Sequence, residues 1–186
     1  DWICAITNTT IPSALQNVEK FYNEDGLSLN SSYFLPYLSG ERTPHNDPNV
    51  RGSFHSLKTS TNPSELQYAV IEGVSFGILD GVNSILKINS NFENIFMVGG
   101  GSKSKFWNQL ISTLLNRTLS ICDQSEFGAA LGVARLAMFA DSNITDKKNI
   151  VTEIKIREKF NPNINKSDVL LKRYQHWKNI YLENKI

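Results

Sequence analysis

Residues 94–110, NIFMVGGGSKSKFWNQL, predict a short strand, a run of three glycines and a helix in direct succession. The strand, residues 95–98, has the length and unbroken apolar character of a central parallel strand that is covered on both faces. Apolar residues then recur at steps of three and four over residues 106–115, so a helix is expected to open at Ser102 or Lys103. This strand–turn–helix unit favours an α/β fold.

The three glycines Gly99, Gly100 and Gly101 remove every Cβ at the point where the chain turns. They permit positive φ and let a flat ligand lie against bare backbone, while the free N–H groups of the following helix attract negative charge. The spacing fits neither the GxxxxGK[ST] phosphate loop nor the GxGxxG dinucleotide fingerprint. A tight turn without a ligand therefore remains an alternative reading of these residues.

Composition excludes several classes of protein. The chain has 186 residues, of which 40% are hydrophobic and 20% charged, as expected for a globular protein of one domain or slightly more. A net charge of +1 gives no sign of a nucleic-acid surface, and the sequence predicts neither a membrane span nor a signal peptide. Cys4 and Cys122 lack CxxC partners, which predicts reduced cysteines in a cytoplasmic protein, and the histidines show no metal-ligand spacing. Because the chain opens on Asp1, within a helical pattern, we expect a piece of a longer protein.

A long polar stretch, LSGERTPHNDPNVRG at residues 38–52, follows a predicted strand at residues 33–35. Structureless segments of this length are uncommon inside compact domains and are usually functional. Its charged residues Glu41, Arg42 and Arg51 are therefore candidates for a binding surface. A solvated surface loop is the alternative.

A long helix is predicted to begin at Asn62-Pro63-Ser64-Glu65, where asparagine can cap and proline suits the first turn, and to run to about residue 88. Gly73, Gly77 and Gly81 recur every four residues along one face of this helix. Each glycine costs up to ~1 kcal/mol relative to alanine in a helix interior, so the stripe predicts that another backbone packs unusually close. Close packing without a ligand is the favoured interpretation.

A second strand–loop–helix unit is predicted at residues 118–140, with small side chains at the start of its helix. Two consecutive units imply a parallel pair of strands, so residues 99–102 and 122–126 are expected at the same edge of the sheet. Before these units, residues 1–23 predict two short helices that break at Ile11-Pro12-Ser13, and residues 53–57 predict a strand.

The carboxy-terminal part is predicted to contain a polar linker at residues 141–150 and a helix at residues 151–159. A last helix, about residues 166–183, carries an apolar and aromatic stripe at steps of four and three that is typical of a buried core face. The stripe consists of Leu170, Tyr174, Trp177 and Tyr181.

Four segments together resemble the carboxy-terminal domain of the FGGY carbohydrate kinases. They are FLPYLSGERTPHNDPNVRGSF (34–54), ELQYAVIEGVSFGILDG (65–81), VGGGSKSKFWNQL (98–110) and EFGAALGVARLA (126–137). The wording SGERTPH is most similar to that of the xylulose kinases within the family. One departure is Ser56, where the family signature usually has glycine.

The resemblance implies an actin-like, ribonuclease-H-like α/β domain, incomplete, with a mixed sheet flanked by helices. Residues 1–140 would be the nucleotide-binding domain without its first strands, and residues 141–186 a helical extension that packs on it. The family's adenosine motif and its neighbouring lysine fall on Gly99, Gly100, Gly101, Ser102 and Lys105. The loop with Glu41, Arg42 and Arg51 would face the cleft between two domains.

The resemblance further implies ATP with Mg²⁺ as cofactors and D-xylulose as the sugar. The catalytic base and most of the sugar pocket would belong to an amino-terminal domain, so we expect no catalytic residue or metal ligand in this chain and no activity from it alone. ATP or ADP and the sugar are the expected partners, and a homodimer is compatible with the sequence. A non-catalytic actin-like nucleotide-binding or assembly module is the alternative function; a Rossmann dehydrogenase lacks support because the GxGxxG spacing is absent.

Overall fold

The computed structural model describes residues 1–24, 28–88, 94–123, 125–141, 150 and 154–183. Within these ranges the helices are α1 (Trp2–Ile6), α2 (Ile11–Glu24), α3 (Pro63–Ile88), α4 (Lys105–Leu115), α5 (Gly128–Ala140) and α6 (Ile164–Glu183). The strands are β1 (Tyr33–Leu35), β2 (Ser53–His55), β3 (Ile95–Met97), β4 (Leu119–Cys122) and β5 (Ile156–Phe160).

The two predicted amino-terminal helices are confirmed, but the break lies earlier than the sequence suggested. Residues 7–10 separate α1 from α2, and Asn8 has a φ of 50° there. Pro12 instead occupies the first turn of α2, where the missing N–H would have had no helical partner. The proline therefore starts the second helix and does not end the first.

Strands β1 and β2 form an antiparallel pair in which Phe34 lies opposite Phe54. The second strand is shorter than predicted, because Ser56 adopts a φ of 61° immediately after His55. Positive φ is the conformation that glycine adopts without steric cost. The geometry thus explains why glycine suits this position.

Helix α3 begins as predicted, with Asn62 Oδ1 accepting the Glu65 backbone N–H at 3.0 Å. Among the described helices it alone has the length and mean hydropathy, 1.4 over 18 residues, that would suit a membrane span. Its buried carboxylates have polar partners on α6: Arg173 pairs with Glu72 at 2.6 Å, and Tyr174 donates to Asp80. Paired internal charges and packing against α2, β1, α4 and α6 mark it as the central helix of the fold.

The close backbone contact that was predicted along the glycine stripe of α3 is confirmed at one position only. A Cβ added to Gly73 would lie 2.2 Å from the Phe34 carbonyl oxygen, so β1 crosses the helix in close backbone contact. At Gly77 the nearest neighbour would be Pro36 Cγ at 3.9 Å, which is an ordinary contact. No described atom lies within 4 Å of a Cβ at Gly81. The predicted close approach is therefore wrong for Gly77 and Gly81.

The larger sheet has the order β3-β4-β5, with β3 parallel and β5 antiparallel to β4. This confirms the parallel pair and the mixed sheet. Strand β3, however, lies at the edge of the described sheet, and Phe96 in it is 37% exposed, so the prediction of a central strand covered on both faces is wrong.

The helix predicted over residues 151–159 is also wrong for the part that the structure describes. Residues 156–160 form strand β5, whose Phe160 is buried against Leu119 of β4. Of the predicted linker and the start of that helix, residues 142–149 and 151–153 lie outside the described residues.

The main core lies between α3, α4, α6 and β1, and the predicted stripe on α6 is confirmed as buried. Leu170 and Trp177 are completely buried, and Tyr174 and Tyr181 nearly so. Trp177 Nε1 also donates to the Phe34 carbonyl oxygen at 2.8 Å, which fixes α6 to β1. The segment after residue 150 thus adds both a strand and a core helix to the fold.

Candidate functional site: the glycine turn and its cavity

The glycine run forms a tight turn between β3 and α4. Gly99 adopts a φ of 86°, and Gly100–Lys103 form one turn of 3₁₀ helix. Helix α4 begins at Lys105 because Ser104 caps it, with its side chain accepting the Trp107 N–H at 3.2 Å. The expected helix start at Ser102 or Lys103 is therefore corrected by two or three residues, and positive φ falls on the first glycine of the run.

The turns after β3 and β4 are joined at the same edge of the sheet, as predicted. The Gly99 N–H donates to the Ser125 carbonyl oxygen at 2.9 Å. The Ser102 hydroxyl donates to the Gly99 carbonyl oxygen at 2.7 Å and lies 2.9 Å from Ser125 Oγ. Ser102 is only 3% exposed, so its hydroxyl braces the turn from inside and is not presented at the surface.

A cavity of about 530 Å³ lies beside this turn. One wall is the turn and the start of α4, the opposite wall is α1 and α2, and one face of α3 lies between them. The side chains of the two helical walls are mainly apolar. Residues at the turn and on α4 that line the cavity are Gly100, Gly101, Lys103, Ser104 and Trp107.

The two glycines at the cavity have different surroundings. A Cβ added to Gly100 would meet no described atom within 4 Å. A Cβ added to Gly101 would lie 2.9 Å from Trp107 Cζ3 and 3.0 Å from Met97 Cε. Gly101 is thus small because the Trp107 ring packs on it, whereas Gly100 leaves its backbone bare toward open space.

The lysines near the turn also differ in position. Lys105 Nζ pairs with Glu158 of β5 at 3.2 Å, and its side chain is 80% exposed. Lys103 lies in the 3₁₀ turn and lines the cavity. The structure therefore brings Gly100, Gly101 and Lys103 together at one cavity, while Lys105 is engaged at the strand β5 side.

Sequence reasoning missed the apolar walls of this cavity. Trp107 borders it and donates its Nε1–H to Ser75 Oγ at 2.9 Å, and Val74 precedes that serine on α3. In the sequence these residues read as ordinary core positions of amphipathic helices. The opposite wall includes Ile11 and Leu15 of α2, which lie about 90 positions before the turn. No local pattern connects segments that far apart.

The polar loop at residues 38–52 is organised by its own carboxylates. Glu41 is buried and its Oε2 accepts the N–H groups of His45 at 2.8 Å and Asn46 at 3.1 Å. The Arg51 guanidinium donates to the Pro48 and Val50 carbonyl oxygens at 2.9 and 2.8 Å. Arg42 is exposed. Two of the three predicted loop residues thus hold the loop together, and Arg42 presents its side chain at the surface.

A second cavity of about 570 Å³ lies between the sheet and α5. Gly128 approaches β3 here, since a Cβ on it would lie 3.2 Å from Val98 Cβ. Cys122 also lines this cavity; partial burial, and after it the Asp123 charge, raises the pKa of its thiol. No residue of α5 within its described range is buried. Helix α5 therefore packs loosely beside the sheet, and its residues that line the cavity are Gly128, Leu131, Gly132 and Arg135.

In the described ranges no three His, Cys, Asp or Glu side chains are grouped to hold an ion. The cavity offers mainly apolar walls and bare glycine backbone, with Asp1, Gln67 and Lys103 among its lining residues. Such a cleft suits a flat, partly apolar ligand that carries negative charge.

The comparison with known proteins agrees with this fold. The model of the FGGY family of carbohydrate kinases, C-terminal domain, matches residues 8–140. The chain belongs to the FGGY family of carbohydrate kinases, and this family has the actin-like fold that the resemblance implied.

Individual relatives place the chain near one branch of that family. It is 29% identical to the xylulose kinase of Escherichia coli (strain K12) over 181 residues, which cover 97% of this chain and 37% of that protein. It is 33% identical to the xylulose kinase of Klebsiella pneumoniae, covering 87% of this chain and 33% of that protein. The crystal structure of a xyloylose kinase from Brucella ovis superimposes with a TM-score of 0.80 at 33% identity, covering 98% of this chain and 37% of that one. The chain therefore spans about a third of these proteins' length.

Proposed function

We propose that this chain is the nucleotide-binding part of an ATP-dependent sugar kinase, which transfers the γ-phosphate of ATP to a hydroxyl of D-xylulose. The observation that carries the proposal is the cavity beside the glycine turn, in a chain that belongs to a carbohydrate kinase family. The choice of sugar is supported by the similarity to xylulose kinases.

The cavity residues suggest how the nucleotide would bind. The apolar walls would take the adenine base, and the bare backbone at Gly100 would let the base or ribose approach closely. The first N–H groups of a 3₁₀ turn have no partner within the turn, so those of Gly100 and Gly101 could donate to ribose or phosphate oxygens. We assign the nearby positive charge to Lys103, because Lys105 already pairs with Glu158.

Phosphoryl transfer also needs parts that we expect to lie outside this chain. Catalysis depends on positioning the γ-phosphate, neutralising its charge and accepting the proton of the attacking hydroxyl. In the described ranges no three His, Cys, Asp or Glu side chains are grouped to hold an ion, and Mg²⁺ in kinases is bound mainly through the substrate phosphates and one or two carboxylates, so the ion would arrive with ATP. By resemblance, the base and most of the sugar pocket would lie on an amino-terminal domain, and the loop with Arg42 would face the cleft. A cytoplasmic location and a homodimer remain predictions.

Two measurements test the proposal. The first is ADP binding to the 186-residue chain, by competition with a fluorescent ADP analogue. The second is phosphate transfer from ATP to D-xylulose by the chain alone and by the intact polypeptide that contains it. We expect the intact polypeptide to phosphorylate the sugar and the chain alone to be inactive.

Three outcomes would contradict the proposal in different ways. Transfer by the chain alone would show that the base lies within it. An intact polypeptide that binds ADP but phosphorylates no sugar would favour the non-catalytic module. An intact polypeptide that binds no adenine nucleotide would refute the assignment of the cavity.

A further inference from the structure

Asp80 is a buried carboxylate that the proposed nucleotide site does not use. It lies on α3, is 5% exposed, and accepts a hydrogen bond from the Tyr174 hydroxyl of α6. Its other oxygen lies 3.3 Å from His45 Nε2 in the polar loop. A carboxylate is costly to bury without such partners, so these contacts hold the loop, α3 and α6 in one arrangement.

A second link joins the same loop to α6. The His45 ring stacks on Tyr181, with ring centroids 4.1 Å apart and planes inclined by 27°. The Tyr181 hydroxyl donates to Asp47 Oδ2 at 3.4 Å. We call His45, Asp80, Tyr174 and Tyr181 the loop clamp. It fastens the loop to α6 at two points.

The loop is also braced internally, so the clamp orients it as a unit. The Glu41 N–H donates to the Asp47 carbonyl oxygen at 2.8 Å, and Glu41 Oε2 accepts the His45 N–H at 2.8 Å. Asp47 Oδ1 accepts the N–H groups of Asn49 and Val50 at 3.0 and 3.1 Å. Exposed Arg42 lies within this braced segment.

We propose that the loop clamp makes Tyr174 and His45 positioning residues, through which the carboxy-terminal helix α6 fixes the polar loop in the geometry needed for phosphoryl transfer. The inference rests on the proposed function, in which this loop faces the cleft. Neither residue touches a reactant in this scheme. They act by removing the freedom of a loop whose exposed guanidinium would otherwise reorient.

The primary test is Tyr174→Phe in the intact polypeptide, which removes the hydroxyl that Asp80 accepts and keeps the ring in the core. We expect amide hydrogen exchange at Glu41, His45 and Asn46 to become at least tenfold faster. We expect kcat/KM for the sugar to fall at least tenfold, mainly through kcat, with Kd for ADP changed less than twofold. The matched control is Tyr33→Phe, which removes another tyrosine hydroxyl, bonded to the Leu29 carbonyl oxygen at 3.0 Å and not to a residue of the loop.

His45→Phe is the second variant, for the case in which Tyr174→Phe lowers Tm of the whole domain. It keeps an aromatic ring against Tyr181 but loses the nitrogen that faces Asp80, and His45 is partly exposed, so folding should survive. Faster loop exchange with lowered kcat/KM, in a variant that still binds ADP, supports the proposal. Unchanged exchange refutes the clamp, and faster exchange with unchanged kcat/KM refutes the positioning role.

The two variants can distinguish failure of the loop clamp from failure of the proposed function. If the unmodified polypeptide phosphorylates no sugar, the proposed function fails and the positioning role falls with it. The exchange data would still decide whether α6 orders the loop.

Discussion

Replacing Gly73 with alanine should force helix α3 and strand β1 apart. The added Cβ would lie 2.2 Å from the Phe34 carbonyl oxygen and 3.2 Å from its carbonyl carbon. Both neighbours are backbone atoms, so no side chain can rotate away to relieve the contact. The same carbonyl oxygen accepts the Trp177 indole N–H at 2.8 Å, and a shift of β1 would stretch that buried bond.

The magnitude follows from three contributions. Overpacking of this kind costs ~1–3 kcal/mol. A buried indole N–H that loses its acceptor costs another ~1–3 kcal/mol. Alanine returns ~1 kcal/mol because it is the better helix former. The net loss is about 3 kcal/mol at the middle of these ranges, and a chain of this size loses roughly 2–4 °C per kcal/mol, so Tm should fall by about 6–12 °C.

The assay is thermal unfolding of the 186-residue chain, followed by circular dichroism and by tryptophan fluorescence. The matched control is Gly81→Ala on the same helix, where no described atom lies within 4 Å of the new Cβ. That variant should gain up to ~1 kcal/mol from helix propensity alone. If Gly73→Ala were as stable as Gly81→Ala, the close contact between α3 and β1 would not exist as described.

Three further predictions concern the turn, the strand end and the tyrosines. Gly101→Val should displace the Trp107 ring and raise the ATP KM of the intact polypeptide at least tenfold, about 1.4 kcal/mol, with little change in the sugar KM; an equal rise in both would indicate general misfolding instead. Ser56→Gly should stabilise the chain by ~1 kcal/mol, seen as a higher urea midpoint, because residue 56 has positive φ; an unchanged midpoint would count against that strain. Burial, and after it the Glu72 charge, raises the pKa of Tyr22 to about 12. The folded state therefore holds this proton more tightly than the unfolded chain, whose tyrosines titrate at about pH 10. The stability that Tyr22 contributes in this way is fully present below the unfolded pKa and is lost as the pH rises through the folded pKa of about 12. Between pH 8 and pH 11 the free energy of unfolding in urea should fall less in Tyr22→Phe than in the unmodified chain. An equal fall in both would contradict the raised pKa of Tyr22.

Elements whose signal is local could be predicted from the sequence. The stripe at Leu170, Tyr174, Trp177 and Tyr181 marks one face of α6 by its spacing alone, and all four residues are buried. The cap at Asn62 likewise needs only its next three residues to be recognised.

Elements that depend on distant partners could not. Residues 156–160, IREKF, contain good helix formers, but pairing with β4 makes them a strand. Three glycines at helical spacing on α3 look alike in sequence, yet only Gly73 faces a crossing backbone.

The candidate site, too, could be predicted from the sequence only in part. The run of glycines locates the turn, because three adjacent residues without Cβ are informative on their own. Which lysine borders the cavity depends on the 3₁₀ turn that delays the helix start to Lys105 and leaves Lys103 beside the opening. The cavity wall formed by α2 cannot be recognised from the local sequence, because apolar residues that line a cleft have the same helical spacing as residues in a core.

Helix α3 connects the two proposed functional regions more directly than the glycine turn does. Its residues Val70, Ile71 and Val74 line the cavity beside the glycine turn, and Asp80 belongs to the loop clamp. Val74 and Asp80 are six residues apart, which is about 9 Å along a helix at 1.5 Å per residue. One continuous helix therefore carries both a wall of the cavity and a contact to the polar loop. Helix α3 therefore links the proposed nucleotide cavity to the loop that carries Arg42, and the Gly73 contact with β1 lies within the cavity-lining part of that helix, between Ile71 and Val74.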